Sequence, residues 1–249
     1  MSSWNDLQHA ASLGGTWHVI KSPIIFPVAG SLRVNSTTNL TLTLLGNVTA
    51  CGGLCALNAN RTGGHFVVSI GSTLVMDSLA LVNSERGGPS SEKCLGSITR
   101  SDSPHELTTS GLCANGPNGL DYPITDWNDL LCGTLKCSSV VVAANASLHV
   151  SNCLFANNTG KSQQAYSATG AAISIVATSE DGFSITNTTF ENNVVRNSFG
   201  SSSNSGGAIA VDQPFGAMVY PVLFTDSGWY EYDQFDGKQS FGMHVGRVG

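Results

Sequence analysis

Apolar residues in this chain recur in short alternating pairs such as Leu74-x-Met76 and Ile173-x-Ile175, and no helical stripe accompanies them. Period two marks a strand with one apolar face. Strands this short cannot bury that face alone. The pattern also repeats along the chain. "GGHFVVSIGSTLVMDSLALVN" (63–83) matches "SSVVVAANASLHVSNCLFAN" (138–157) at an offset of 74, placing Phe66 on Val140, Leu74 on Leu148, Met76 on Val150 and Leu81 on Phe155. A further offset of 35 places Leu148 on Phe183, Val150 on Ile185, Phe155 on Phe190 and Asn157 on Asn192. "GAMVYPVLFTDS" continues the series 34 residues on, with Phe224 on Phe190, and "GAAISI" and "GGAIAV" lie 36 apart. At least four copies of one unit of about 35 residues are present, and such a period means a solenoid. Stacked at the ~4.8 Å strand spacing, the copies bury their apolar faces in one continuous column. The expected fold is all-β: a single-stranded parallel β-helix.

Side-chain roles follow from that stacking. Phe155, Phe190 and Phe224 are expected to fill the column, each beside its copy. Asn157 and Asn192, two residues after their phenylalanines, are expected to turn the chain, because Asn tolerates left-handed backbone angles. Their amides are expected to pair from coil to coil as a ladder. Gly170 and Gly206 are assigned to a second corner where positive φ or close backbone approach excludes a Cβ.

One β-helix domain is expected over residues 1–249. Within 1–15, "SSWNDLQHAASLGG" carries Trp4, Leu7 and Ala11 between a Ser cap and a Gly pair, a short helix that would cover the open end of the column. Residues 16–83 hold the first coils. Four prolines and three cysteines break the pattern over 84–136, which reads as a loop insert or a degenerate coil, and 137–227 are the regular coils. Residues 228–249 are irregular and are expected to stop before the solenoid does.

Composition refines the picture. Charged residues make up 11% of the chain and apolar ones 41%, so the surface is built from hydroxyls and amides rather than charges. A net charge of −6 provides no basic stripe for a phosphate backbone, which excludes nucleic acid as the expected partner. No run of 18 apolar residues spans a membrane, and no basic-then-apolar leader opens the chain. Seven cysteines point to an oxidising compartment: Cys51, Cys55, Cys94, Cys113, Cys132 and Cys137 are disulfide candidates, and the odd count leaves one thiol free, paired outside this segment or buried, with Cys153 the candidate for the buried one. Seven Asn-x-Ser/Thr sequons begin at Asn35, Asn39, Asn47, Asn60, Asn145, Asn157 and Asn187. Together these read as a segment of a larger secreted protein, extracellular or at the cell surface.

"FANN" and "FENN", interleaved with "GAAI" and "GGAI", resemble the FxxN and GGA[ILV] repeats of the chlamydial-type polymorphic outer membrane proteins. Similar repeats occur in large surface proteins of some protists and algae. The resemblance covers 145–227 most fully and 30–83 less so. It implies a right-handed β-helix of the pectin-lyase-like superfold, displayed outside the cell with adhesion as its usual role. "GAAI" and "FTDS" depart from the pattern, and no translocator barrel sequence is present.

Chemistry is sparse. The Gly-His-Gly and Arg-x-Lys strings of polygalacturonase-like sites do not occur, and the arginines fall at unrelated repeat phases. Glu180 and Asp181 are adjacent at a turn instead of facing each other across a groove. The six histidines are dispersed, with His149 expected to face outward between Leu148 and Val150. "CGGLC" (51–55) lacks a second pair at metal-site spacing and reads as a local disulfide or two separate bridges. An ice-binding threonine array is disfavoured, because Thr41 and Thr43 are not repeated in phase by later coils.

The candidate ligand site is "DSGWYEYDQFDG" (226–237), where Trp229, Tyr230 and Tyr232 stand beside Asp233 and Asp236. Aromatic faces with nearby acids suit sugar stacking or a calcium-stabilised loop. No catalytic or metal-ligating residue is assigned, and no cofactor beyond that calcium. The expected function is a non-catalytic extracellular surface or adhesin-like module whose partners are other extracellular proteins or glycans. The alternative is a carbohydrate-active β-helix enzyme, a polysaccharide lyase or hydrolase.

Overall fold

A computed structural model describes residues 1–27, 31–34, 40–86, 135–136, 138–143, 146–162, 168–175, 182–197 and 208–211. These are mainly β, with parallel strands arranged in stacked sheets. The first sheet contains β1 (Gly15–Val19), β4 (Thr41–Gly46), β7 (Thr73–Asp77), β12 (Ser147–Ser151) and β17 (Phe183–Thr186), hydrogen-bonded in that order. The second contains β2 (Ile24–Ile25), β5 (Cys55–Asn58), β8 (Leu79–Val82), β13 (Leu154–Ala156) and β18 (Thr189–Glu191). The third contains β9 (Glu85–Arg86), β14 (Thr159–Ser162) and β19 (Val194–Asn197). The fourth runs through β3 (Leu32–Val34), β6 (Phe66–Val68), β11 (Val140–Val142), β16 (Ile173–Ile175) and β20 (Ile209–Val211), and β10 (Leu135–Lys136) pairs with β15 (Ala168–Thr169) apart from these.

The pairings reproduce the offsets read from the sequence. Phe66 lies over Val140 and Leu74 over Leu148, Leu148 over Phe183, Phe155 over Phe190, and Ile173 over Ile209. Parallel pairing holds the side-chain alternation in step, so every inward residue meets an inward residue. Leu42, Leu74 and Leu148 form one buried column, and Leu44, Met76, Val150 and Ile185 another. Ile24, Leu57, Leu81, Phe155 and Phe190 form a third. At its end the Phe155 and Phe190 rings stack at a 5.1 Å centroid distance, 10° from parallel. No strand intervenes between β6 and β11, β7 and β12, β8 and β13, or β9 and β14, despite the long sequence separation of each pair.

The expected cap helix is α1 (Trp4–Leu13). Ser3 accepts from the Asp6 N–H while Asp6 accepts from the Ser3 N–H, a capping box that satisfies two otherwise unpaired donors. Leu7, Ala10 and Ala11 are buried against the first strands, and Trp4 packs on Phe26. Gly14 ends the helix at φ +68, where a Cβ would meet Leu40 Cγ and the Thr41 carbonyl at 2.7 Å each.

A second helix, α2 (Val48–Cys51), was not expected from the strand pattern. Asn47 caps it by accepting from the Ala50 N–H at 2.9 Å, and Gly52 closes it at φ 70. Within "CGGLC" the local bridge forms: Cys51 is disulfide-bonded to Cys55.

The columns carry a stability expectation. Truncating Phe155 to Ala removes a buried ring and its stacking partner, and is expected to cost about 4 kcal/mol in urea unfolding. Ser184→Ala, on an outward position of the first sheet, is expected to stay within about 0.5 kcal/mol.

Candidate functional site

Three of the five strands of the second sheet lie between two left-handed corners. Ser78 and Asn83 flank β8, Asn152 and Asn157 flank β13, and Asn187 and Asn192 flank β18, all with φ between 44° and 58°. A left-handed angle costs an ordinary residue about 1–2 kcal/mol, and Asn less than others because its short amide bonds locally. The turning role expected of Asn157 and Asn192 is thus met at φ 56 and φ 52.

The amide ladder sits elsewhere than expected. It runs through the second Asn of each pair, not through Asn157 and Asn192. Asn158 is fully buried; its Oδ1 accepts from the Ser84 N–H at 3.0 Å, and its Nδ2 donates to the Leu81 carbonyl at 3.2 Å and to Asn193 Oδ1 at 2.8 Å. Asn193 in turn donates from Nδ2 to the Phe155 carbonyl at 2.9 Å. The physical reason is direction: the first Asn takes the left-handed backbone and projects outward, so the next residue points into the stack. The FxxN spacing already held that signal, since its Asn is position 158 after Phe155.

A second polar ladder lies at the other corner. Asp77 Oδ1 accepts from Ser151 Oγ at 2.8 Å and from Asn152 Nδ2 at 2.7 Å, and Asn187 Nδ2 donates to Asn152 Oδ1 at 2.6 Å.

Between that corner and the fourth sheet, the first sheet turns one face outward. In register across it run Thr41, Thr73 and Ser147; then Thr16, Thr43, Val75, His149 and Ser184; then His18, Leu45, Asp77, Ser151 and Thr186. These residues are half-buried or exposed. His149 therefore faces outward as expected, and its Nδ1 lies 2.8 Å from Ser184 Oγ on the next rung. One expectation is corrected here. Thr41 is repeated in phase, by Thr73 and then by the hydroxyl of Ser147. Offsets of 35 and 74 do not bring out this repeat, because Thr41 and Thr73 are 32 residues apart. Thr43 is not so repeated: Val75 and His149 occupy its column.

Inside the stack lies an unanticipated polar group. His65 is fully buried, with Nδ1 2.6 Å from Ser139 Oγ and Nε2 2.8 Å from the Leu57 carbonyl. A carbonyl only accepts, so Nε2 carries the proton and Nδ1 accepts from the serine. Burial pushes this imidazole down to about 4, with the Arg86 charge acting in the same direction and the Leu57 bond opposing it. Arg86 is also buried; it donates to Ser31, and its guanidinium occupies the space a Cβ on Gly64 would need.

Gly170 meets both criteria set for it, with φ +56 and an added Cβ only 2.3 Å from the Ile173 carbonyl. Cys153 is free and buried; burial pushes its thiol up to about 12, and the Asp77 charge adds to this. Asn47, Asn60, Asn157 and Asn187 are exposed. Outside the described residues lie Asn35, Asn39, Asn145, Gly206, Phe224, Cys94, Cys113, Cys132 and Cys137, and the candidate ligand patch Trp229, Tyr230, Tyr232, Asp233 and Asp236. Among the described residues, no three His, Cys, Asp or Glu side chains gather as a metal site, and no helix is long and apolar enough to cross a membrane. Comparison with family models, with curated proteins and with solved structures finds no match for this chain.

Two measurements check the polar groups. Asn158→Ala removes the acceptor of the Ser84 N–H and the donors to the Leu81 carbonyl and Asn193, and is expected to cost about 3 kcal/mol. Asn192→Gly, which keeps the left-handed angle accessible, is expected to cost less than about 0.5 kcal/mol. For His65, the unfolded imidazole takes up a proton near 6.5 while the folded one resists until about 4. Stability is therefore full above about pH 6.5 and falls as pH drops towards about 4, by roughly 3 kcal/mol from this group. Urea unfolding across that window is expected to show the slope, and His65→Gln to flatten it.

Proposed function

We propose that the chain is a right-handed parallel β-helix serving as a non-catalytic extracellular surface module, and that the outward face of its first sheet binds glycans. Right-handedness is the hand adopted by nearly all parallel crossover connections. The resemblance of "FANN" and "FENN" to surface-protein repeats supports the same reading, as does the Cys51–Cys55 disulfide, a bond that persists in oxidising compartments.

The observation that carries the binding role is the composition of that face. Its columns present Thr16, Thr43, Thr73, Ser147, Ser184 and Thr186 with a single carboxylate, Asp77. Hydroxyls at the ~4.8 Å rung spacing offer donors and acceptors to a chain of sugar hydroxyls without desolvating many charges. Val75 and His149 interrupt the middle column, which favours adaptable bonding to a glycan over a match to a crystal lattice. His149 adds an aromatic ring at the centre of the face.

A glycan array on the intact parent protein is the direct test. The Thr43→Lys/Ser147→Lys double variant is expected to weaken binding to the arrayed hits by at least about tenfold, near 1.4 kcal/mol, without moving the thermal midpoint. Undiminished binding by that folded variant would remove this face from the proposal. Release of unsaturated or hydrolysed products from uronate polymers would replace the binding role with that of a carbohydrate-active enzyme.

A further inference from the structure

Four sequons lie among the described residues: Asn47 and Asn187 follow strands of the first sheet, and Asn60 and Asn157 follow strands of the second. Asn60, Asn83, Asn157 and Asn192 all follow strands of the second sheet and all hold left-handed angles, at φ 51, 58, 56 and 52. Asn83, Asn157 and Asn192 follow one another in register, with the Asn83 N–H bonded to the Ala156 carbonyl at 3.1 Å and the Asn157 N–H to the Glu191 carbonyl at 3.0 Å. Asn60 sits one residue past Ala59, their counterpart in the earlier rung, and its neighbour Arg61 bonds the Asn83 carbonyl at 2.8 Å. Along this corner the sequon alternates. Asn60-Arg61-Thr62 and Asn157-Asn158-Thr159 are acceptors, whereas Asn83-Ser84-Glu85 and Asn192-Asn193-Val194 are not.

We infer that Asn60 and Asn157 are N-glycosylated, placing one glycan on every second rung of a single corner. The inference rests on the extracellular reading above, because the modification requires passage through a glycosylating secretory route. Two sites on adjacent rungs would stand only ~4.8 Å apart and crowd their sugars; alternate rungs double that spacing. Both asparagines are exposed. Both asparagines are left-handed, and in the later rung the inward polar role passes to Asn158. Carrying a sugar on Nδ2 therefore breaks no described ladder at either site.

Asn187 provides the contrast. It too begins a sequon and is exposed. Its Nδ2, the atom that would carry the sugar, instead donates to Asn152 Oδ1 at 2.6 Å in the ladder ending on Asp77. Asn187 is accordingly assigned as unmodified in the folded protein. The sugars at Asn60 and Asn157 would shield the corner after the second sheet and leave the hydroxyl face of the first sheet uncovered.

The test is peptide mass spectrometry of the intact protein recovered from its own cells, after enzymatic glycan release in heavy-oxygen water. The expected result is isotopic labelling of Asn60 and Asn157 with Asn187 unlabelled. Thr62→Ala and Thr159→Ala, which keep both asparagines and hence the corner, are each expected to remove one glycan's mass while leaving the circular dichroism spectrum unchanged. Glycans on other sequons with Asn60 and Asn157 bare would overturn the alternate-rung inference and leave the extracellular reading standing. Complete absence of glycan from all sequons would overturn both. Labelled Asn187 would overturn the selectivity assigned to its hydrogen bond.

Discussion

In-register parallel hydrogen bonding between successive rungs is the constraint from which the other features follow. It fixes the vertical spacing at ~4.8 Å and sets each side chain over its counterpart. An inward leucine then needs a leucine, valine or methionine above it, as in the series Leu44, Met76, Val150 and Ile185. Outward positions escape that demand and are free to differ, which is how Thr43, Val75, His149 and Ser184 come to share one column.

The same register concentrates the difficulty of turning the chain. The rungs of β8, β13 and β18 bend at equivalent points, so the unfavourable left-handed angle recurs there, and five of the six positions are Asn. Asparagine recurs there for its backbone tolerance, and its neighbour is then directed inward among apolar side chains. A polar group in that setting must find partners. Asn158 and Asn193 find them in the Leu81 and Phe155 carbonyls of the strands leading into the corner. Cys153 is accommodated differently: kept protonated by burial, it is a poor nucleophile and does not threaten the Cys51–Cys55 bond by exchange.

The stacking registers were legible in the sequence because apolar identity survives from rung to rung: Leu74, Leu148 and Phe183 could be aligned without coordinates. The cap helix was legible from Ser3 and Gly14 for the same local reasons that form it. What escaped depended on direction or on an unequal repeat length. Assigning the ladder required knowing which of two adjacent asparagines points inward, and one φ angle decides that. The Thr41–Thr73 column was hidden by its shorter offset, and α2 by a sequence too short to show helical period. His65 reads as an ordinary polar residue before a strand, and only its enclosure by Phe26, Leu57 and Ser139 reveals its state.

Asn158 engages residues on both sides of its own rung at once, reaching Leu81 and Ser84 behind it and Asn193 ahead. Most contacts in a one-dimensional array link a unit only to its immediate neighbour, so such arrays can fray one unit at a time. A side chain that clamps three consecutive units lengthens the segment that must open together. Force separating the sheets along the stacking direction would meet a block of rungs rather than a single one.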